Sequence, residues 1–102
     1  MLQLRPNCEH CDKNLPTDSG EAMICSYECT FCIDCVDAVL ENVCPNCGGG
    51  FVKRPIRPRQ EWRKGVSRDH QLPNLERVHK PVDVAQHKKF AGNIKDIDPQ
   101  HR

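Results

Sequence analysis

The sequence predicts a small metal-stabilised α+β domain followed by an extended basic C-terminal tail. Three observations lead to this fold class. The chain of 102 residues is only 37% hydrophobic and 5% aromatic, with a mean hydropathy of −0.68, so an apolar core alone is too small to hold it together. All eight cysteines lie between positions 8 and 47, where they can crosslink the chain through metal. The charge changes sign near the middle of the chain.

This change of charge predicts two regions. Residues 1–50 carry eight acidic and two basic side chains, a net charge of −6, whereas residues 51–102 carry thirteen basic and six acidic side chains, a net charge of +7. The overall charge of +1 argues against a uniformly basic nucleic-acid binder and a uniformly acidic disordered chain. We expect a metal-binding head over residues 1–52 and a basic, proline-containing connector and tail over residues 53–102.

No segment of the sequence predicts a membrane location. No apolar run approaches the roughly 18 residues that a transmembrane helix needs. The first ten residues, MLQLRPNCEH, also lack the apolar stretch of a secretory signal. We expect a cytoplasmic protein, in which thiols stay reduced and paired cysteines bind metal instead of forming disulfides.

The cysteines form four close pairs, which is the pattern of metal ligands. Because a tight turn can aim both sulfurs of a pair at one ion, four pairs can supply two four-sulfur zinc sites. An iron–sulfur cluster is an alternative, since the spacing from Cys29 to Cys35 is similar to part of a bacterial ferredoxin run, but the gap before the last cysteine is longer here. The pairs are Cys8 with Cys11, Cys25 with Cys29, Cys32 with Cys35, and Cys44 with Cys47.

The four pairs can be combined into two sites in three ways. A nested arrangement would crowd the second and third pairs, both within residues 25–35, around one ion, and that segment would be very contorted. Neighbouring pairs can share an ion, or the first pair can join the third and the second the fourth. The interleaved arrangement crosslinks distant parts of the chain twice and so compensates best for a small core.

Short strands and one helix are expected within the head. Residues 21–31 and 51–53 contain apolar and β-favouring types, and Gly48 can take the positive φ that the end of the last Cys-Pro-x-Cys turn needs. A helix is predicted over residues 33–42, because Ile33, Val36, Leu40 and Val43 recur at helical spacing. The expected core side chains are Met23, Ile24, Phe31, Val36, Val39 or Leu40, and Phe51.

A second, shorter helix is predicted over residues 81–92. Pro81 suits its first turn, Asp83 favours its positive end, and Gly92 can end it. Its apolar stripe is thin, and a helix this short is marginal alone. Two alternatives follow for the tail: the helix docks on the head, or the tail is partly disordered.

The cysteine pattern resembles a RING-type cross-brace, a treble-clef zinc finger with a helix after its fifth and sixth ligands and a Cys-Pro-x-Cys close. The resemblance covers residues 8–51 and implies the interleaved pairing. It differs at the fourth ligand, where this chain has Cys29 instead of the frequent histidine, and after the first ligand, where it has Glu9 and His10. The implied ligands of two structural Zn²⁺ ions are Cys8, Cys11, Cys32 and Cys35 in site 1, and Cys25, Cys29, Cys44 and Cys47 in site 2.

The sequence resembles one family more closely. The strings LRPNCEHCDKNLP, ICSYECTFCIDCV and VCPNCGGGFVKRPIRP are similar to the bacterial domain-of-unknown-function family 1272. Its members are short proteins that share this eight-cysteine head and often continue into a basic, tryptophan-containing tail. The resemblance extends through Arg59 and implies a zinc-binding fold without an established activity.

The function expected is that of a non-enzymatic zinc-binding module that mediates protein–protein interaction. Two complete four-sulfur sets leave no open metal position and no spare thiol for catalysis. His10 is expected to face solvent or to hydrogen-bond a sulfur, and most of the tail histidines, His70, His79, His87 and His101, are expected to be solvated. A ubiquitin-ligase-like activity is an alternative that rests on the RING resemblance alone.

Nucleic-acid binding through the basic connector is the other alternative. Arginine beside an aromatic ring suits phosphate contact together with base stacking. A solvated tail, or one that folds back on the acidic head, would explain the same residues. The candidate contacts are Lys53, Arg54, Arg57, Arg59, Trp62, Arg63 and Lys64.

Overall fold

The head contains a small antiparallel sheet, seen in a computed structural model that describes residues 1–102. Strand β1 spans Ala22–Ile24, β2 spans Thr30–Cys32 and β3 spans Val52–Lys53. The order in the sheet is β2-β1-β3, and Met23 lies opposite both Phe31 and Lys53. The expected small α+β fold with short strands is therefore confirmed.

Helix α1 follows β2 directly. It begins with Ile33–Cys35 and continues as the π-helical turn Val36–Leu40. It ends two residues before the predicted limit, because Glu41 and Asn42 both take positive φ angles of 53° and 57°, which a right-handed helix excludes. The Asn42 side chain then accepts a hydrogen bond from the Phe51 amide at 2.9 Å, so the reversal after α1 is tied to the start of β3.

The core lies between the sheet and α1. Phe31 and Phe51 meet edge to face, with ring centroids 5.5 Å apart at 81°, a favourable geometry for aromatic rings. Val36 and Leu40 of α1 are buried in the same cluster, as predicted. Leu15, which the sequence analysis did not place in the core, is 1% exposed there. The cysteines make up much of the rest of this cluster, so the apolar core and the metal ligands are one structure.

The tail helix is docked on the head. Helix α2 spans Val84–Gly92, inside the predicted range, and Asp83 caps it by accepting a hydrogen bond from the Gln86 amide at 3.1 Å. His87, expected in solvent, is 4% exposed, and its Nε2 donates to the Leu40 carbonyl at 2.9 Å. The physical reason is that Leu40 ends α1, where carbonyls lack partners within the helix.

Residues 77–82 run along the first cysteine turn before α2 begins. The Asn7 side chain donates to the Val78 carbonyl at 2.8 Å, and the Lys80 amide donates to the Glu9 carbonyl at 2.8 Å. Arg77 forms an ion pair with Asp12 at 2.8 Å. Main-chain groups thus carry much of the docking between the tail and the head.

The C-terminal residues pack on the last cysteine turn. A 3₁₀ turn spans Pro99–His101, and Arg102 Nη1 donates to the carbonyls of Asn42 at 2.8 Å and Gly48 at 3.1 Å. A Cβ atom at Gly50 would lie 2.9 Å from the Pro99 ring, so this close approach requires glycine. The described chain has no helix long and apolar enough to cross a lipid bilayer.

Candidate metal centres

Four cysteine sulfurs converge in what we call cluster 1, formed by Cys8, Cys11, Cys32 and Cys35. These sulfurs all lie within 4.8 Å of one another. The Cys11 and Cys32 sulfurs are 3.8 Å apart. A tetrahedron of sulfurs at about 2.3 Å from a central zinc has edges of about 3.8 Å, whereas a disulfide bond is about 2.05 Å long. The spacing therefore fits a shared ion, and all eight cysteines are free thiols.

Two local structures build cluster 1. The first is the Cys8–Cys11 turn, in which the Cys8 amide donates to the Lys13 carbonyl and the Asp12 amide to the Cys8 carbonyl, each at 2.9 Å. Asp12 has a φ of 64°, which reverses the chain after Cys11. The second is the junction of β2 with α1, where Cys32 ends the strand and Cys35 lies one helical turn later. The end of β2 and the start of α1 thus bring the sulfurs of Cys32 and Cys35 to those of Cys8 and Cys11.

Three cysteines, Cys25, Cys44 and Cys47, form cluster 2, with sulfurs within 4.8 Å of one another. The last turn is closed by the Gly48 amide, which donates to the Cys44 carbonyl at 2.8 Å. Gly48 has a φ of 77°, which confirms the conformation expected for it. Backbone amides also approach the sulfurs, with Gly49 donating to Cys47 and Tyr27 to Cys25 at 3.4 Å each. Such amide contacts stabilise thiolate ligands.

Cys29 lies at the edge of cluster 2. Its side chain is buried beside Cys25 and Cys44, but its sulfur is outside the 4.8 Å distance that the other three share. The Asn46 amide group donates a hydrogen bond to this sulfur at 3.4 Å. The structure therefore brings three cysteines together at this position and places the fourth next to them.

The two clusters interleave along the chain. The first and third pairs form cluster 1, and cluster 2 joins Cys25 of the second pair to both cysteines of the fourth. The sequence left this pairing open between neighbouring and interleaved arrangements, and the RING resemblance implied the second. Each cluster therefore joins segments that are distant in sequence, so each constrains the chain more than a local turn would.

Burial and sulfur crowding explain why the clusters suit a cation. Burial raises the pKa of the Cys35 thiol, and the neighbouring Cys32 and Cys8 sulfurs raise it further. Burial likewise raises the pKa of Cys44, and the negative charges of Cys29 and Cys25 add to this. Adjacent buried thiolates repel one another, so the full set ionises only when a positive ion lies between them. A divalent metal ion would supply that charge, so both clusters are suited to hold one.

Hydrogen bonds act in the opposite direction at two cysteines. Burial would raise the pKa of Cys11 and of Cys25, but hydrogen bonds outweigh it and leave both pKa values lowered. The backbone amide donors are Lys13 for Cys11, and Tyr27 together with Cys29 for Cys25. One cysteine in each cluster therefore ionises more readily than an ordinary thiol.

Asn7 and Glu9 support the first turn and were not singled out for this role, whereas His10, expected to face solvent or to hydrogen-bond a sulfur, is half-buried against the tail. Glu9 is 4% exposed, and its carboxylate accepts from the Thr30 amide at 2.7 Å and from Arg5 at 3.1 Å. Asn7 is 1% exposed and its side chain donates to the Cys8 carbonyl. His10 contacts no sulfur; its Nδ1 accepts from the Val82 amide at 2.8 Å. In the sequence, only their positions next to Cys8 and Cys11 could have indicated that these residues contact the first turn.

The basic connector divides into inward and outward side chains. Arg54, a candidate partner contact, is 5% exposed, and its guanidinium donates to the carbonyls of Arg5 at 2.7 Å and Pro16 at 3.1 Å. Arg57 donates to the carbonyls of Gln71 and Leu2, both at 2.6 Å. These two arginines are therefore committed to the fold. The other candidates are exposed: Lys53, Arg59, Trp62, Arg63 and Lys64.

The fold and the clusters together define a small α+β protein with two cysteine clusters suited to metal ions. The chain belongs to the family described as protein of unknown function (DUF1272), whose model matches residues 1–57 and so covers every cysteine. It is 59% identical over 64 residues to an uncharacterised protein of Rhizobium meliloti (strain 1021), an alignment that covers 63% of this chain and 76% of that protein. No solved structure matches the chain.

Proposed function

We propose that this protein is a zinc-binding module in which two structural Zn²⁺ ions hold a RING-like cross-brace. The observation that carries the proposal is the pair of interleaved sulfur clusters, with a sulfur separation of 3.8 Å in cluster 1 that fits tetrahedral zinc. The module has a binding role instead of a catalytic one, because closed four-sulfur sites leave no metal position for water or substrate.

Cys29 is the fourth ligand of the second site in this proposal. Its sulfur already lies beside Cys25 and Cys44, so a bound ion attracts it as a thiolate and completes the tetrahedron. The Asn46 hydrogen bond then supports a ligand sulfur, as outer-sphere donors do in other zinc sites.

Metal analysis of the native protein tests the proposal. We expect two zinc ions per chain by inductively coupled plasma mass spectrometry. Chelation should also unfold the head, since each site contributes on the order of 10 kcal/mol of metal-binding free energy. The readout is the loss of amide dispersion in ¹H–¹⁵N spectra. An iron-loaded brown sample, or a head that stays folded after verified metal removal, would contradict the proposal.

A protein partner is the ligand that the exposed apolar surface favours. Two adjoining grooves, of about 260 and 270 Å³, share Leu4 as a lining residue. Met1 and Ile56 line the first, Leu75 lines the second, and these three side chains are more than half exposed. Clustered exposed apolar side chains typically mark interaction surfaces. We call this the apolar face.

Crosslinking of the full chain in cells tests the apolar face. A specific partner should be lost on Ile56→Asp together with Leu75→Asp, while zinc content stays at two ions. The matched control is Val66→Asp, which changes an apolar residue that is 51% exposed elsewhere on the surface. If the double variant and the control crosslink to the partner equally, the apolar face is not the binding surface. If the chain crosslinks only to a second copy of itself, the apolar face mediates self-association and not binding of another protein.

A further inference from the structure

We propose that residues 58–71, which we call the Trp62 loop, bind single-stranded nucleic acid. Trp62 stacks on an unpaired base, and Arg59, Arg63 and Lys64 contact the flanking phosphates. This activity is separate from zinc binding, because none of these residues contributes to a cysteine cluster.

The Trp62 loop is an ordered unit closed by its own hydrogen bonds. The Arg68 amide donates to the Pro58 carbonyl at 2.8 Å and joins the ends of the loop. The Gln71 side chain donates to the Gly65 carbonyl at 2.9 Å, and the Gly65 amide donates to Glu61 Oε1 at 2.6 Å. A loop fixed in this way loses less conformational entropy when it binds a ligand.

The loop leaves its one aromatic side chain in solvent. Trp62 is the single tryptophan of the chain and is 77% exposed. This exposure is unexpected on packing grounds, because burial of a large apolar side chain would stabilise so small a core. An aromatic face held in water by an ordered backbone is a platform for base stacking, which contributes about 1–3 kcal/mol per base.

The cations around Trp62 are free to bind phosphate. Arg59, Arg63 and Lys64 are exposed, and they are absent from every salt bridge of the described chain. The nearby acid Glu61 is occupied, since its carboxylate accepts from the Gly65 amide and lies 3.8 Å from His70 Nε2. Three exposed cations therefore lie within three residues of Trp62 in the sequence, and none of them is paired with a carboxylate.

The composition of the loop favours a single strand over other anionic ligands. The loop has no helix or strand that could enter a duplex groove. Its only other exposed large hydrophobic side chain is Val66, and with Leu72 just beyond the loop the apolar area is still small for insertion into a lipid surface. An acidic peptide would use the cations but not the face of the ring. One ring among three cations matches the alternation of base and phosphate in a strand.

Tryptophan fluorescence of the zinc-loaded full chain, titrated with oligothymidine or oligouridine of about 12 nucleotides, tests this inference. We expect quenching at about 50 mM salt and a slope of about −2 in log K against log salt, from three phosphates at about −0.7 each. With labelled oligonucleotide and anisotropy, Trp62→Ala should weaken binding between about 5-fold and 150-fold. Arg63→Gln should make the slope of log K against log salt shallower by about 0.7, because one phosphate contact is lost.

Lys88→Gln is the matched control, since Lys88 is exposed on α2 and remote in sequence from the loop. It should leave both affinity and slope unchanged. The proposal is overturned by absence of binding at about 50 mM salt, by equal losses in Trp62→Ala and Lys88→Gln, or by tighter binding to anionic vesicles or a poly-glutamate peptide than to the oligonucleotide. The zinc content of Trp62→Ala is measured as well and should be unchanged. A failure of nucleic-acid binding can then be distinguished from a failure of the zinc proposal.

Discussion

Cys29 is the residue on which the second metal site depends. Three sulfurs alone would leave an open position, as in a catalytic zinc site, whereas four would close it. In the structure Cys29 lies beside cluster 2, outside the mutual distance of its three members. The sequence spacing predicted a ligand here but not its position relative to the other three cysteines, because spacing indicates which residues can reach an ion and not where each sulfur lies.

Substitution of Cys29 distinguishes these two forms of the site. Cys29→Ser should weaken the second site, so that a competing chelator which leaves two zinc ions on the unaltered chain reduces the variant to one ion in native mass spectrometry, because one of four thiolate ligands is lost. Asn46→Ala is the control, since it removes only the hydrogen bond to the sulfur and should retain both ions. If Cys29→Ser keeps two zinc ions, the second site uses three cysteines and an open position.

Arg54 shows how a basic residue can be structural. The sequence placed it among candidate partner contacts because it lies in a basic run, and no local pattern signals that it turns inward. Arg54 is 5% exposed, and its guanidinium donates hydrogen bonds to the carbonyls of Arg5, Leu15 and Pro16. Such burial also lowers the pKa of Arg54.

Loss of Arg54 should destabilise the protein. Arg54→Ala leaves the carbonyls of Arg5 and Leu15 without a donor, and we expect it to lower the free energy of unfolding by about 3 kcal/mol. The measurement is urea denaturation of the zinc-loaded chain followed by circular dichroism. Arg59→Ala, at an exposed position, should change it by less than about 0.5 kcal/mol. Equal effects of the two substitutions would show that the inward contacts of Arg54 do not contribute.

Among the elements, the helices were predictable in place but not in their ends or contacts. The spacing of Val36 and Leu40 predicted the buried face of α1, and α2 was predicted over residues 81–92 but begins three residues later, at Val84, because Asp83 caps it. The end of α1 was predicted too late because two non-glycine residues, Glu41 and Asn42, take positive φ there. That conformation depends on tertiary contacts such as the Asn42 bond to Phe51, which no local sequence pattern reveals.

Docking of α2 depends on His87. His87→Ala should detach the helix from α1, because it removes a buried side chain and the hydrogen bond to the Leu40 carbonyl, which then keeps only the Val43 amide as donor. We expect amide hydrogen exchange in Val84–Gly92 to become at least about tenfold faster, as an isolated helix of this length is marginal. Lys88→Ala should leave this exchange unchanged. Protection that persists in His87→Ala would show that other contacts hold the helix.

At the scale of the whole molecule, metal binding changes the charge balance. The sequence gives −6 for residues 1–50 and +7 for residues 51–102. A four-thiolate zinc site has a net charge of about −2, so two sites make the head still more acidic. The attraction between head and tail agrees with the docking of residues 77–102, which was one of two alternatives for the tail. The charges predicted that head and tail attract each other but not which residues meet. That alignment depends on hydrogen bonds to main-chain groups between residues about 70 positions apart.

Zinc binding should release protons at neutral pH. The ordinary pKa of a thiol is near 9, so all eight cysteines of the unfolded metal-free chain hold their protons at pH 7, and burial in the fold raises the pKa of Cys29, Cys32, Cys35 and Cys44 further. Zinc displaces these protons, so affinity should rise with pH and fall on acidification. A pH indicator in weakly buffered solution should report close to eight protons released per chain at pH 7. Release of fewer than about four would contradict two four-thiolate sites.

The interleaved pairing of eight cysteines around two ions is the central claim, and cadmium substitution tests it most directly. Correlation of ¹¹³Cd with cysteine β-protons in the cadmium-loaded protein should give two metal signals. One signal should couple to Cys8, Cys11, Cys32 and Cys35, and the other to Cys25, Cys29, Cys44 and Cys47. A single metal signal, or coupling of Cys8 and Cys25 to the same ion, would contradict the account.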